Sequence, residues 1–199
     1  SLMQVGASAA SATSSPNITA TDNKLFYATY RTAKWDGEIT ATTIDPQTGE
    51  INATPTWSAR EKLENKTSAS SDTRTIKYVG KSNKGAAILK DFTYSNLSAT
   101  EKAYFENKCS LLAQCTSGRL TEDNKTSING GETVVNFLRG QKQHNGTLFR
   151  EREYVLGDIV NSAPVYIKQA RYKWSDAGYD NFKEDTATRQ EMVYVGAND

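Results

Sequence analysis

The feature that most constrains this chain is a run of alternating residues broken once by a turn dipeptide. Leu25–Trp35 (LFYATYRTAKW) and Glu38–Ile44 (EITATTI) both alternate with period two, the spacing of a strand with one buried face. Asp36-Gly37 between them suits a type I′ turn, so the segment reads as a hairpin bending at that dipeptide. DPQTGE (Asp45–Glu50) supplies a second turn, and a third strand or extended segment runs on to Trp57. The result is an antiparallel meander of three strands.

Two further strand-like runs follow, Thr73–Gly80 (TRTIKYVG) and Gly85–Phe92 (GAAILKDF). The period then changes. Ser98 and Glu101 stand in capping-box spacing, and Ala103, Tyr104, Leu111 and Leu112 supply apolar positions for a helix beginning there. GGETVVNFLRG reads as a second short helix, with Gly140 as its stop. Strand material returns in Arg150–Trp174 and in the terminal Met192–Val195, separated by a polar surface excursion over Ser175–Glu191. Residues 1–24 are small and polar, and read as a linker or upstream tail carrying a short helix over Met3–Ala12.

Charge excludes two classes of partner. The 199 residues carry 24 basic and 23 acidic side chains, a net charge of +1, which gives no field for nucleic acid or an anionic membrane. No apolar run reaches the roughly 20 residues of a membrane span, and Ser1-Leu2-Met3 does not open a signal peptide. The chain is either cytoplasmic or cut from a longer exported precursor, and its ten tyrosines with abundant Thr, Ser and Asn favour export. The two cysteines, Cys109 and Cys115, are too few for a zinc site even beside His144, and they are not spaced as Cys-x-x-Cys. A structural disulfide is the reading, with free thiols as the alternative. Closing so short a loop stabilises by roughly 2 to 2.5 kcal/mol in the chain-entropy model.

Motifs that carry chemistry are scarce. There is no phosphate-binding loop, dinucleotide fingerprint, HExxH or GxSxG. The single histidine, His144, lies in a polar, glycine-flanked loop and reads as solvated. TEDNKTSINGGE and DNFKED hold acids and asparagines, but neither keeps the alternating ligand spacing of a calcium loop. KQARYKW (Lys168–Trp174) offers cations and rings that suit base stacking, but strand residues with cations reaching to solvent explain it equally well, and the neutral charge balance favours them. Arg150, Arg152 and Asp158 flank a buried stretch and read as structural ion pairs.

Three stretches are more informative than any of these. NFLRG (Asn136–Gly140), REREYVLGDIVNSAPVYI (Arg150–Ile167) and MVYVGAND (Met192–Asp199) follow one another in the chain, with KWDGEI (Lys34–Ile39) ahead of them. Together they resemble consecutive motifs of the PilC/PilY family of type IV pilus tip-associated adhesins, over Leu25 to Asp199. The motif positions are Trp35, Gly37, Arg139, Gly140, Gly157, Asp158, Asn161, Pro164, Gly196, Asn198 and Asp199, read as structural. The resemblance implies a mainly β chain, a partial modified β-propeller of quinoprotein-like type with antiparallel meanders and a small helical insertion. In this reading residues 25–199 form an incomplete propeller-like domain with the insertion at about 98–140, and GEITATTIDPQTGE has the look of a blade repeat. The family's calcium loops are acidic DxDxD-like segments. None matches here, so no metal ligand, cofactor or catalytic residue is assigned to this segment, and calcium is left to other parts of a longer protein.

The resemblance implies binding, not catalysis. The expected role is that of a fragment of a pilus adhesin and assembly factor, exported and associated with the pilus tip, cell surface or outer membrane. Its expected partners are pilus subunits (minor pilins) and host-cell or abiotic surfaces. A quinone-dependent dehydrogenase propeller fragment and a non-adhesive secreted scaffold domain are the alternatives. Asn198-Asp199 reads as the start of a turn whose return strand lies beyond it. Met192–Val195 is therefore expected to pair with an earlier strand such as Leu25–Tyr30, or with a second molecule.

Overall fold

A computed structural model describes residues 8–13, 23–170 and 172–198. In chain order the elements are β1 (Ser8–Thr13), β2 (Lys24–Arg31), β3 (Asp36–Thr43), β4 (Trp57–Ser58), α1 (Ala59–Glu64), β5 (Lys77–Lys81) and β6 (Ala87–Asp91). There follow α2 (Ala99–Lys102), α3 (Ala113–Thr116), α4 (Glu122–Asn129), α5 (Glu132–Leu138), β7 (Val165–Ile167), α6 (Tyr179–Asp185) and β8 (Met192–Tyr194). Among the described residues every strand pairing is antiparallel, in a sheet of order β1-β2-β3-β4 and two further pairs, β5-β6 and β7-β8. The chain divides within α1 and after Val155. One unit is discontinuous, Ser1–Glu61 with Leu156–Asp199, and the other is inserted, Lys62–Val155.

The sheet of the discontinuous unit follows from the alternation of β2 and β3. Their register pairs Phe26 with Ala41 and Ala28 with Ile39, and all four side chains are buried. Ala28 and Ile39 pack with Ile159, and Trp57, Leu156 and Val195 close around them. Each large aliphatic buried here stabilises by roughly 1.5–3 kcal/mol. The bend lies elsewhere than the sequence suggests. Arg31 pairs with Asp36, the turn is Thr32–Trp35, and Asp36-Gly37 opens β3 instead of forming the corner. Trp35 takes the left-handed conformation the turn needs, with φ 57°. Gly37 serves close approach: a β-carbon there would stand 2.5 Å from the Gly157 carbonyl oxygen, and its N–H donates to the Leu156 carbonyl at 3.1 Å.

Two more expectations change in this unit. Ser8–Thr13 is a strand, paired from Ser8 with Thr29 to Thr13 with Leu25, where the reading placed a helix over Met3–Ala12. Residues 3–7 lie outside the described residues. β8 pairs with an earlier strand as expected, but that strand is β7, with Val165 opposite Tyr194 and Ile167 opposite Met192, and not Leu25–Tyr30. A period-two pattern says which face is buried but not which strand lies alongside. The polar stretch Ser175–Glu191 contains α6, begun at Gly178 with φ 84°. Lys168–Trp174 forms no strand among the described residues, and Tyr172 and Trp174 are exposed.

The inserted unit is helical around one cluster. Ser98 and Glu101 close the capping box reciprocally, but α2 stops after Lys102 and Asn107 turns left-handed, with φ 57°. Tyr104 and Leu111, expected on a buried helix face, are exposed. Cys109 and Cys115 are joined in a disulfide that packs with Ile128, Leu148 and Phe149. Phe137 of α5 stacks on Phe149 at 4.5 Å between centroids. Gln114 reaches the Leu148 carbonyl at 2.6 Å, and the Asn129 side chain accepts from the Cys109 N–H at 3.0 Å.

Two stability predictions follow from this packing. Replacing both Cys109 and Cys115 by serine should cost about 2–3 kcal/mol, read as a lower denaturant midpoint than that of the oxidised protein. A midpoint that reduction leaves unmoved would show that the bridge contributes nothing. Gly37→Ala should cost about 1–3 kcal/mol, because backbone meets backbone and nothing flexible can yield. Gly130→Ala is the control. That residue is in the right-handed helical region, and an added β-carbon meets its nearest neighbour at an ordinary 3.5 Å. It should be neutral or stabilising in the same thermal melt.

Candidate functional site

The separated motifs of the discontinuous unit meet in space. Asp36 forms an isolated bridge with Gly157, the Asn198 N–H donates to the Asp158 carbonyl at 2.9 Å, and the Gly196 N–H donates to Ser162 Oγ at 2.8 Å. Gly157 and Asp158 are buried, Pro164 is buried immediately before β7, and Asn161 and Trp35 are exposed. Asp199 lies outside the described residues. Asp36 is 2% exposed, and its carboxylate is held by Arg31 through both oxygens and by Arg60 at 3.4 Å. Arg60 also donates to the Gly37 carbonyl at 3.0 Å, and its own N–H donates to Glu38. A buried carboxylate is tolerated only when paired in this way.

Arg139 and Gly140 do corresponding work in the inserted unit. The Arg139 guanidinium grips both oxygens of Asp72 and also donates to the carbonyls of Phe92 and Arg74. Gln141 adds a bond to Asp72 at 3.2 Å. Gly140 has φ 104°, and a β-carbon there would stand 2.9 Å from Val155. Arg152 is buried over the Phe137 ring, 4.2 Å from its centroid, and donates to the Phe137 carbonyl.

Each unit also carries a cleft. In the discontinuous unit a cavity of about 460 Å³ is lined by Lys24, Phe26, Trp57, Tyr166, Gln190 and Glu191 among others. Phe26 and Tyr166 stack at 5.0 Å. Glu191 pairs with Lys24 and, at 3.3 Å, with Lys168. The bond from Lys24 holds its carboxyl down at about 2. Burial pushes the Tyr166 hydroxyl well above the usual phenol range. That hydroxyl faces Glu191 without closing a hydrogen bond of normal geometry.

In the inserted unit an open cavity of about 830 Å³ lies against β5 and α2. Its polar centre is Glu101, which accepts from Lys90 at 2.8 Å, from Tyr78 at 3.0 Å and from the Ser98 N–H at 2.7 Å. The bond from Lys90 is the main cause that holds the Glu101 carboxyl at about 2. Phe92 and Phe105 form its aromatic floor, 5.8 Å apart. Sequence reasoning found Glu101 only as a cap and missed Tyr78 and Lys90. The pairing of Tyr78 with Lys90 across the hairpin is the signal that brings them together. His144 lies elsewhere, beside a small polar cavity of about 50 Å³ with Thr133 and Gln141. Among the described residues no three His, Cys, Asp or Glu side chains are grouped to hold a metal ion, and no helix is long and apolar enough to cross a membrane.

The depressed carboxyl of Glu101 gives a pH prediction. Its folded value lies below the unfolded one, so its contribution is present above about pH 4.3 and is lost as pH falls through about 2. Glu101→Gln keeps an N3 cap but removes that titration. Across this window the variant should lose less stability than the parent in denaturant titrations at successive pH values. Parallel curves would show that Glu101 is not coupled to folding.

Relatives match most of this chain. Type IV pilus biogenesis factor PilY1 of Pseudomonas aeruginosa strain UCBPP-PA14 is 32% identical over 191 residues, 90% of the chain and 15% of the relative. PilY1 of strain PAO1 is 30% identical over 192 residues, again 90% of the chain. A PilY1 homolog of Xylella fastidiosa is 29% identical over 185 residues, 87% of the chain and 12% of the relative. The chain thus spans about 15% or less of the length of these relatives. No family model and no solved structure matches it. With one-third identity along nine-tenths of its length, the chain belongs to the PilC/PilY family.

Proposed function

We propose that this chain serves type IV pilus biogenesis as one segment of a longer exported protein at the pilus tip, cell surface or outer membrane. The observation that carries the reading is the 32% identity to a pilus biogenesis factor across 90% of the chain. The segment acts by binding. Its partners are pilus subunits, minor pilins above all, and the longer protein attaches to host-cell or abiotic surfaces. It needs no cofactor, and any calcium belongs to other parts of the longer protein. Glu101 and Glu191 support binding over proton transfer, because each is held ionised by a lysine far below neutral pH.

We also read residues 25–199 as an incomplete propeller-like domain with a helical insertion at about 98–140. The order β1-β2-β3-β4, which follows the chain, supports a single blade in the first sheet, one that also takes in β1 (Ser8–Thr13) ahead of that span.

The test is made in the longer protein. Trp35→Ala with Asn161→Ala alters two exposed motif positions of the discontinuous unit, and should reduce surface pili several-fold in electron micrographs at an unchanged protein level. Normal piliation with a stable variant protein would sink the biogenesis role. In a separate arm, the purified chain is tested for binding to immobilised minor pilins and to epithelial cells. Capture by pilins alone would assign this segment to assembly and leave adhesion to the remainder.

A further inference from the structure

We propose that the free edge of β5 receives an extended, acidic segment of a partner protein as an added strand, a site that does not depend on the pilus role. The ladder of the β5-β6 hairpin fixes which backbone groups point outward. Phe92 donates to the Ile76 carbonyl and Ser82 to the Ala86 carbonyl, so the hydrogen-bonded pairs are the even positions of β5. The N–H and C=O groups of Lys77, Val79 and Lys81 therefore face away from β6. Among the described residues, none of these six backbone groups hydrogen-bonds to backbone outside the hairpin.

The surroundings suit a strand. The large open cavity runs along this edge, lined by consecutive residues Tyr78 to Asn83 on one side and by Glu101, Tyr104 and Phe105 on the other. Val79 and Leu89, directly opposite each other, are 71% and 72% exposed. A strand laid here completes its backbone bonds on β5 and covers apolar surface, which is how edge addition gains affinity.

Charge selects the occupant. Lys77–Asp91 contains four lysines and one aspartate. Lys77 pairs with Asp91 and Lys90 with Glu101, whereas Lys81 and Lys84 have no acidic partner among the described residues. A second copy of this hairpin would set lysine against lysine, which is a common way for edges to avoid self-pairing. An acidic, alternately apolar segment meets the lysines favourably. An anionic bilayer would satisfy the lysines but not the unpaired backbone.

The probe is a short, end-blocked peptide of alternating glutamate and valine, titrated against the whole chain. It should bind and slow amide exchange at Lys77, Val79 and Lys81. Val79→Pro deletes one outward N–H without touching the β5-β6 ladder, and should weaken binding about tenfold or more with an unchanged melting curve. Lys81→Glu with Lys84→Glu, which alters no backbone, should shift preference to a lysine–valine peptide. This second variant decides the matter should Val79→Pro unfold the hairpin. The proposal fails if the peptide does not bind, or if the charge reversal leaves the preference unchanged. It also fails if a folded Val79→Pro binds like the parent, or if phosphatidylglycerol vesicles bind the chain while the peptide does not.

Discussion

A buried aspartate governs the discontinuous unit. Asp36 sits at the mouth of the β2-β3 hairpin, 2% exposed, where an unpaired carboxylate would cost several kcal/mol. Arg31 and Arg60 neutralise it from two directions. Arg31 closes the four-residue turn, and Arg60 carries the chain from β4 into α1 while also holding Glu38. One charge thus ties the hairpin turn to the sheet's last strand and its helix. Next to it, Gly37 lets the Leu156–Gly157 backbone approach β3 closely enough for a direct bond. Register then admits no slip. A shift by one residue would turn Phe26, Ala28, Ile39 and Ala41 to the other face and break the Arg31–Asp36 pair.

The inserted unit solves a different problem. Its helices are four to eight residues long, too short to hold themselves in water. They are held from outside. The disulfide and the stacked Phe137 and Phe149 give them a shared core. Arg139 at the end of α5 gathers Asp72 and the carbonyls of Arg74 and Phe92, and so ties the helix to the segments that enter β5 and leave β6. Here both charges are buried, and the carbonyls share in satisfying the cation. Lysine would not replace that geometry, since a planar fork reaches a carboxylate and two carbonyls at once.

Much of this was legible in residue patterns, and the misses have physical causes. Alternation revealed β2, β3, β5 and β6, and capping chemistry located the start of α2 and, through Gly140, the end of α5. Asp36-Gly37 misled because a turn dipeptide is expected to face solvent and to use glycine for positive φ. Here the aspartate is buried, and the glycine is needed for the space beside Gly157. The helix after Ser98 stops early because Tyr104 and Leu111 find no core to face. β1 left no signal at all, since Ser-Ala-Ala-Ser-Ala-Thr has no apolar alternation and its place is fixed by backbone pairing. The clefts were hidden for a related reason. Lys24 and Glu191 are 167 residues apart in sequence, and only folding makes them a pair.

Those pairs also bear on what the clefts can do. A carboxylate that serves as a general acid needs its proton near neutral pH, and enzymes arrange this by burying it away from cations. Glu101 and Glu191 are arranged the opposite way. Each accepts from a lysine, and each is held at about 2, so both remain ionised through the physiological range. Their charge is already answered within the chain, which fixes Lys90 and Lys24 in place and leaves Tyr78, Phe92 and Phe105 in one cleft, and Phe26, Trp57 and Tyr166 in the other, as the surfaces a ligand would meet. Groups fixed in charge and position suit recognition of a partner's shape, in keeping with the binding role we propose.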